Sequence, residues 1–198
     1  MQADIALGAG FADPILQSQA AFRAVLAAMA EPGLVQDLDS TVAPPPGLPA
    51  AAATVLLTLA DYETPLWLPQ GLRDGPAGAW LRFHCAAPLV AEPHRALFAV
   101  LAGAEAPALA AFHPGEDQFP DRAATLIVPC AGFAGGPAVL LEGPGIPGSR
   151  SVAPAGLRPG FWGEVAANAA LYPLGVDMLL VHGTWALGLP RSTQVREV

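Results

Sequence analysis

Lysine is absent from this sequence of 198 residues, in which all nine Lys-or-Arg positions are arginines. A chain without lysine cannot form the internal aldimine of pyridoxal-phosphate enzymes. It also cannot supply the lysine of a P-loop or the strand lysine of a protein kinase. The sequence therefore excludes these chemistries, and we expect a protein that carries no cofactor.

Positive charge of any kind is scarce. Nine arginines stand against 17 acidic residues, which gives a formal net charge of −8 and a sequence pI of about 4.7. Proteins that bind nucleic acid in general carry a basic face, so this balance argues against a nucleic-acid partner. A small anion could still be bound by a few well-placed arginines.

Long apolar runs, a basic leader and a cysteine framework are also missing. The strongly apolar runs, such as Met178–Val181, are far shorter than the roughly 20 residues needed to span a bilayer. Met1–Asp4 carries none of the basic residues that open a signal peptide. Two cysteines, Cys85 and Cys130, are typical of buried free thiols. We therefore expect a cytoplasmic protein without a membrane partner.

The residues that are present predict a compact chain. At 53% hydrophobic and 13% charged, it is too apolar to be disordered. Its length favours a single domain over residues 1–198. Because so few charged residues are available to cover the surface, part of that surface is expected to contact a partner.

The clearest element is a helix over Pro14–Ala30. Asp13 is a good N-cap, a proline is tolerated in the first turn, and Glu31–Gly33 ends the helix. Its apolar residues share one stripe at helical spacing, which predicts core or interface: Ile15, Phe22, Val25, Leu26 and Met29.

The remaining pattern mixes helices and strands. Helices are predicted over Ala50–Ala60, Ala104–Phe112 and Phe161–Leu171. Strands are predicted over Leu34–Leu38, Pro65–Leu68, Trp80–His84, Ala96–Leu101, Ala124–Cys130, Pro137–Glu142, Val176–His182 and Trp185–Leu189. Gly71–Gly78 is read as a turn, and Ala124–Cys130 is predicted to pair with Pro137–Glu142. The last two strands, Val176–His182 and Trp185–Leu189, are predicted to be joined at Gly183–Thr184. The fold class is α/β, with a layered mixed β-sheet flanked by helices.

Three residues are predicted to bind an anion. Arg82 and His84 are two positions apart on the predicted strand Trp80–His84, so they share one face of it. Arg191 follows the predicted strand Trp185–Leu189, and ligands of open α/β sheets tend to bind at strand ends. The alternative is that the arginines pair with carboxylates and stabilise the protein.

Catalytic and metal-binding patterns are lacking. The four histidines and two cysteines show neither C-x-x-C nor H-E-x-x-H spacing, so no metal is expected. No G-x-S-x-G is present. Glu142–Ile146 follows a strand, but Pro144 removes an N–H group and no helix follows directly. We therefore predict no catalytic residue from the sequence.

Several motifs occur in the order found in one family. They are Phe22-Arg23-x-Val25-Leu26-x-x-Met29-Ala30-Glu31-Pro32-Gly33, Ala53–Asp61 with Thr64–Leu68, Leu81–His84 with Ala87–Val90, Leu141-x-Gly143-Pro144-Gly145-Ile146, Tyr172–Asp177 and Leu189–Thr193. Together they resemble PhnH, the H subunit of the bacterial carbon–phosphorus lyase core complex. The resemblance runs from about Phe11 to Val195, and its departures fall in loops.

The resemblance implies a fold like that of pyridoxal-phosphate-dependent transferases, without the cofactor. It implies a supporting subunit that acts with the G, I and J subunits and is a homodimer when isolated. With G and I, the family supports displacement of adenine from ATP by an alkylphosphonate, giving a ribose 1-phosphonate 5-triphosphate. The family offers no established catalytic residue, and the subunit is expected to lack activity alone.

A second hypothesis from a different class remains. The chain could be a free-standing α/β enzyme or an anion-binding module that uses Arg82, His84 and Arg191. Activity of the purified chain on ATP and methylphosphonate separates the two hypotheses.

Overall fold

A computed structural model of the chain describes residues 8–103 and 106–197. These residues form five α-helices, which are α1 Pro14–Ala30, α2 Ala50–Leu59, α3 Gln70–Arg73, α4 Pro76–Cys85 and α5 Phe161–Ala169. The strands are β1 Val35–Asp37, β2 Leu66–Trp67, β3 Leu89–Val90, β4 Phe98–Val100, β5 Thr125–Pro129, β6 Val139–Glu142, β7 Arg150–Val152, β8 Asp177–His182, β9 Trp185–Leu189 and β10 Gln194–Glu197. The predicted α/β class is confirmed.

Helix α1 begins and ends where the sequence predicts. The Asp13 carboxylate accepts hydrogen bonds from the backbone N–H groups of Ile15 and Leu16, and Pro14 occupies the first turn. These contacts satisfy N–H groups that have no partner inside the helix. The predicted apolar stripe is only partly buried. Val25 is buried, whereas Ile15, Phe22 and Leu26 are exposed to solvent.

The prediction of a strand over Trp80–His84 is wrong. These residues belong to α4, which begins at a proline after Gly75. The alternation of apolar and polar residues in this segment suggests a strand, but the buried residues follow helical spacing. They are Ala77, Trp80, Leu81 and Cys85, with Gly78 between them. The predicted turn Gly71–Gly78 contains α3 and the first residues of α4.

The larger sheet has seven strands in the order β1-β9-β8-β5-β4-β2-β3. Strands β3, β2, β4, β5 and β8 are parallel. The predicted hairpin of β8 and β9 is confirmed, and β1 lies antiparallel beside β9. The parallel strands have a common carboxyl edge and a common amino edge, which position the two sites described below.

A second sheet has three strands in the order β10-β6-β7, all antiparallel. The predicted pairing of Ala124–Cys130 with Pro137–Glu142 is therefore wrong. Strand β5 lies between β4 and β8 in the larger sheet, whereas β6 lies between β10 and β7 in the smaller one. Closeness in sequence suggested a hairpin, but the two strands differ in burial. Three consecutive residues of β5 are buried, as in a central strand covered on both faces, whereas β6 alternates between buried and half-buried residues.

Two hydrophobic cores lie on the two faces of the larger sheet. Alternate residues point to opposite faces, so Ile127 packs with α1, α2 and α4, while Leu126 and Val128 pack with α5 and the smaller sheet. The result is a layered structure in which the larger sheet lies between helices and the second sheet.

The predicted helix Ala104–Phe112 is replaced by a single 3-10 turn, Leu109–Ala111, within the described residues. Residues 104–105 of that prediction, and the N-terminal prediction on Met1–Asp4, lie outside the described residues. In the described ranges, no helix has both the length and the apolar character needed to cross a membrane.

Candidate binding site

A groove lies at the carboxyl edge of the larger sheet, where ligands of open α/β sheets tend to bind. It consists of two adjoining cavities of about 380 and 520 Å³ that share one wall. We call it the carboxyl-edge groove. Its lining residues are Leu101, Gly103, Ala106, Val128–Pro129, Pro137–Ala138, Gly156–Trp162 and Glu197.

The shared wall is the segment before α5, and Gly156 sets its position. Gly156 has φ +77°, and a Cβ there would lie 2.7 Å from the Cβ of Ala131. The backbone of Ala155 pairs with that of Gly132 immediately beside it. Glycine is therefore needed both for the backbone conformation and for this close approach.

The arginine of the groove wall is already paired with a carboxylate. Arg158 donates two hydrogen bonds to the Glu164 carboxylate, one of them from Nη2 to Oε2 at 2.6 Å. The same Oε2 accepts the backbone N–H of Leu109 at 2.8 Å. Hydrogen bonding to Arg158 lowers the pKa of the Glu164 carboxyl, and hydrogen bonding to Glu164 raises the pKa of Arg158. Because Arg158 is neutralised in this way, the described lining residues of the groove offer no free cation to an anionic occupant.

The two thiols are poor nucleophiles. Burial raises the pKa of Cys85 to about 11. Burial also raises the pKa of Cys130, which follows β5 at the carboxyl edge. The His182 Nδ1 contacts the Cys130 carbonyl oxygen at 3.1 Å, and the Cys130 thiol donates to the Val181 carbonyl oxygen at 3.5 Å. Both thiols are therefore protonated near neutral pH, and we see no activated cysteine among the described residues.

The structure places Arg82 and His84 on a helix and not on the predicted strand. Both lie on helix α4, where residues two apart point to nearly opposite sides, so the argument from a shared strand face is wrong. His84 packs on Trp80 with 4.5 Å between ring centroids, and its Nε2 lies 3.0 Å from the carbonyl oxygen of Gly8. Arg82 is exposed, and its side chain makes no hydrogen bond or ion pair with any described residue.

Arg191 lies in a different part of the molecule. It follows β9, which is antiparallel to its neighbour, so it lies at the amino edge of the parallel strands. Its Nε and Nη2 contact the Asp177 carboxylate at 3.1 and 2.5 Å, and its Nη1 donates to the carbonyl oxygen of Pro120. The alternative that this arginine pairs with a carboxylate is confirmed. These contacts share nothing with those of Arg82 and His84, and the binding role of the three residues stays a prediction.

Two of the sequence motifs contact each other in the structure and connect α1 to the smaller sheet. Gly145 lies so close to the end of α1 that a Cβ would overlap the carbonyl oxygen of Ala30. From β7, Arg150 Nη1 donates to the carbonyl oxygens of Glu31 and Pro32. The segments Glu31–Gly33 and Gly143–Ile146 therefore join α1 to the smaller sheet, and their glycines are needed for close packing.

Sequence reasoning missed the Arg158–Glu164 pair. The available signal was an acidic residue in the first turn of a predicted helix, six positions after an arginine. Among the described residues, no group of three or more His, Cys, Asp and Glu side chains is placed to hold a metal ion. The expectation that the protein uses no metal stays a prediction.

The fold and the groove define an α/β protein with an open mixed sheet and a groove at its carboxyl edge. Comparison with known proteins then places it in a family. The model of the family described as "Bacterial phosphonate metabolism protein (PhnH)" matches residues 9–196, and the chain belongs to this family.

Two curated relatives extend the comparison. One is the "Alpha-D-ribose 1-methylphosphonate 5-triphosphate synthase subunit PhnH" of Rhizobium meliloti (strain 1021). It is 38% identical over 197 residues, which cover 98% of this chain and 97% of the relative. The other is the "Putative C-P lyase subunit protein HtxG" of Stutzerimonas stutzeri, 31% identical over 179 residues, or 90% of this chain and 86% of the relative.

Proposed function

We propose that the chain is a supporting subunit of a carbon–phosphorus lyase complex in the breakdown of organic phosphonates. In this role it assists formation of a ribose 1-phosphonate 5-triphosphate from ATP and an alkylphosphonate. The observation that carries the proposal is the nearly full-length relation to a protein named as a subunit of that synthase. The paired charges of the carboxyl-edge groove agree with a role in binding rather than in bond cleavage.

The proposal includes the partners and setting of the chain. It acts in the cytoplasm as a single domain with the G, I and J subunits and without cofactor or metal. We also propose that its layered sheet is related to that of the pyridoxal-phosphate-dependent transferases. The absence of lysine from the sequence supports a use of that fold without an internal aldimine.

Growth on a phosphonate tests the proposed role. The chain is expressed in a Rhizobium meliloti strain from which the gene of the related subunit is deleted. We expect growth on methylphosphonate as the sole phosphorus source to return, with growth on phosphate as the control. A chain that is soluble in these cells and copurifies with no G, I or J subunit would contradict the proposal.

The purified chain separates this role from that of a free-standing enzyme. We expect no release of adenine from ATP and methylphosphonate by the chain alone, and release once the G and I subunits are added. Turnover by the chain alone, lost on Arg82→Gln, would favour the free-standing enzyme instead.

The proposed homodimer has a candidate surface on α1. Ile15, Phe22 and Leu26 lie four or seven residues apart and are 80%, 49% and 57% exposed. A helix carrying exposed apolar residues at this spacing is typical of an interface. We propose that this stripe contacts a second copy of the chain when the subunit is isolated.

Leu26→Glu tests this surface, because it places a charge within the apolar stripe. We expect the dissociation constant of the dimer, measured by sedimentation equilibrium, to rise at least tenfold. Tyr62→Glu is the control, since Tyr62 is a large exposed residue, 70% exposed, that follows α2 and lies outside the stripe. Equal effects of the two substitutions, or a monomeric unmodified chain, would rule out this interface.

A further inference from the structure

A third cavity lies at the amino edge of the larger sheet, opposite the carboxyl-edge groove. Its volume is about 330 Å³, and it lies between the segment before β4 and the segment before β5. We call it the amino-edge pocket. Its lining residues are His94, Arg95, Ala96, Leu97, His113, Glu116 and Arg122.

Backbone hydrogen bonds hold the walls of this pocket together. The N–H of Ala124 donates to the carbonyl oxygen of His113, and the N–H of Thr125 donates to that of Leu97, both at 2.9 Å. Glu116 and Phe119 form a bridge in the intervening loop. Basic residues from two segments, the one before β4 and the one before β5, are therefore brought together by the fold.

The arginines of the pocket differ from Arg158 and Arg191, because no close carboxylate neutralises their charge. The Arg122 guanidinium lies 4.0 Å from the centroid of the Phe119 ring, and no carboxylate of the described residues lies within 4.0 Å of it. Arg95 has one acidic neighbour, Glu92, at 3.8 Å, and both side chains are more than half exposed. A pair of this kind contributes little and exchanges readily with a ligand.

Two histidines, His94 and His113, provide ring nitrogens as hydrogen-bonding groups in the amino-edge pocket. His113 Nδ1 accepts the N–H of Gly115 at 3.0 Å, so in the neutral ring the proton lies on Nε2. Among the described residues that nitrogen has no hydrogen-bond partner, so it can donate to an anion. His94 lines the same cavity, and Glu116 is the single acidic residue in its lining.

We propose that the amino-edge pocket binds a phosphorus oxyanion, the tetrahedral PO₃ group of a phosphonate, a phosphate or a phosphoryl chain end. Two guanidinium groups and an imidazole donor provide the charge-assisted hydrogen bonds that such a group accepts. A cavity of this size accommodates the phosphorus group with a small substituent. The choice of phosphorus among oxyanions rests on the proposed function.

Titration calorimetry at low ionic strength tests the pocket. The titrants are methylphosphonate, inorganic phosphate and ATP, with acetate as an oxyanion without phosphorus. The variants are Arg95→Gln/Arg122→Gln and, as the control, Arg23→Gln, which removes an exposed arginine of α1. We expect the double variant to bind the phosphorus titrants at least tenfold more weakly than the unmodified chain, and Arg23→Gln to bind within twofold of it.

The three phosphorus titrants distinguish the source of the PO₃ group by their relative affinities. The proposal is overturned if no titrant binds at about 10 mM, if the double variant binds as the unmodified chain does, or if acetate binds as tightly as phosphate. These measurements need no partner subunit. Failure of the proposed function would instead show as absent growth of the complemented strain, so the two failures are distinguishable.

Discussion

The carboxyl-edge groove and the amino-edge pocket, at opposite edges of the larger sheet, carry arginines in opposite states. At the carboxyl edge, the Arg158 guanidinium is held by the Glu164 carboxylate within a largely apolar groove. At the amino edge, Arg95 and Arg122 line a pocket in which their acidic neighbours are distant or exposed. The position that topology favours for a ligand is therefore the one whose charge is already neutralised.

This difference separates two kinds of binding surface. A neutral groove gains affinity from apolar burial, whereas an exposed guanidinium pair gains it from charge-assisted hydrogen bonds that salt weakens. In a chain of net charge −8, unpaired arginines are the groups that can attract an anion. The comparison thus assigns apolar recognition to one edge and anion recognition to the other.

The largest effect on stability is expected from Arg191→Gln, which removes the guanidinium that pairs with Asp177 at the amino edge. Removing this partner of the partly buried Asp177 should lower the free energy of unfolding by about 2–3 kcal/mol. Arg82→Gln, at an exposed arginine, should change it by less than about 0.5 kcal/mol. Urea unfolding of both variants measures the difference.

The same two variants test the predicted binding roles in the reconstituted complex. Loss of one charge-assisted contact to substrate should lower its activity by roughly tenfold or more. If Arg191→Gln loses stability while the activity per assembled complex is normal, its role is structural. If Arg82→Gln changes neither quantity, the predicted binding role of Arg82 is wrong.

Glu164→Gln and Glu116→Gln compare the two edges directly. The first leaves Arg158 without its carboxylate, and we expect a loss of about 1–2 kcal/mol in urea unfolding. The second removes the acidic residue of the amino-edge pocket at an exposed site, so stability should change by less than about 0.5 kcal/mol. Calorimetry should show phosphate binding about twofold tighter in Glu116→Gln and unchanged in Glu164→Gln. The reverse assignment would refute the contrast between the edges.

The smallest effect is a pH dependence confined to the carboxyl edge. The folded pKa of Glu164 is lowered from its ordinary value of 4.5, chiefly by hydrogen bonding to Arg158. The stability that this carboxylate contributes is therefore fully present above pH 4.5 and lost as the pH falls through the folded pKa. The difference in unfolding free energy between the unmodified chain and Glu164→Gln should shrink below that pH. A difference that stays constant down to about pH 3 would show that the ion pair is not its source.

Local signals predicted some elements closely. Helix α1 was predicted to the residue because Asp13 and Glu31–Gly33 act within a few positions of its ends. The hairpin of β8 and β9 was also predicted, since a two-residue turn, Gly183–Thr184, joins two apolar strands. In both cases the deciding interactions lie within the segment itself.

Other elements depend on partners that are distant in sequence. Helix α4 was taken for a strand because Trp80–His84 alternates, while its burial depends on packing against α2, including the Cys85 thiol on the Leu56 carbonyl oxygen. Strands β7 and β10 were missed because they are short and pair only with β6. Their pairing is a tertiary contact that no local pattern encodes.

By itself the sequence determined the α/β class, the cap of α1, the family and the absence of an internal aldimine, because each depends on residue type or on neighbours a few positions away. The tertiary structure alone decided which arginines are neutralised. Arg191 pairs with Asp177, which lies 14 residues earlier in the sequence. Arg95 and Arg122 line the same pocket because they precede β4 and β5, which are neighbours in the sheet. A guanidinium has the same charge everywhere in a sequence, and only the fold determines whether a carboxylate lies within reach of it.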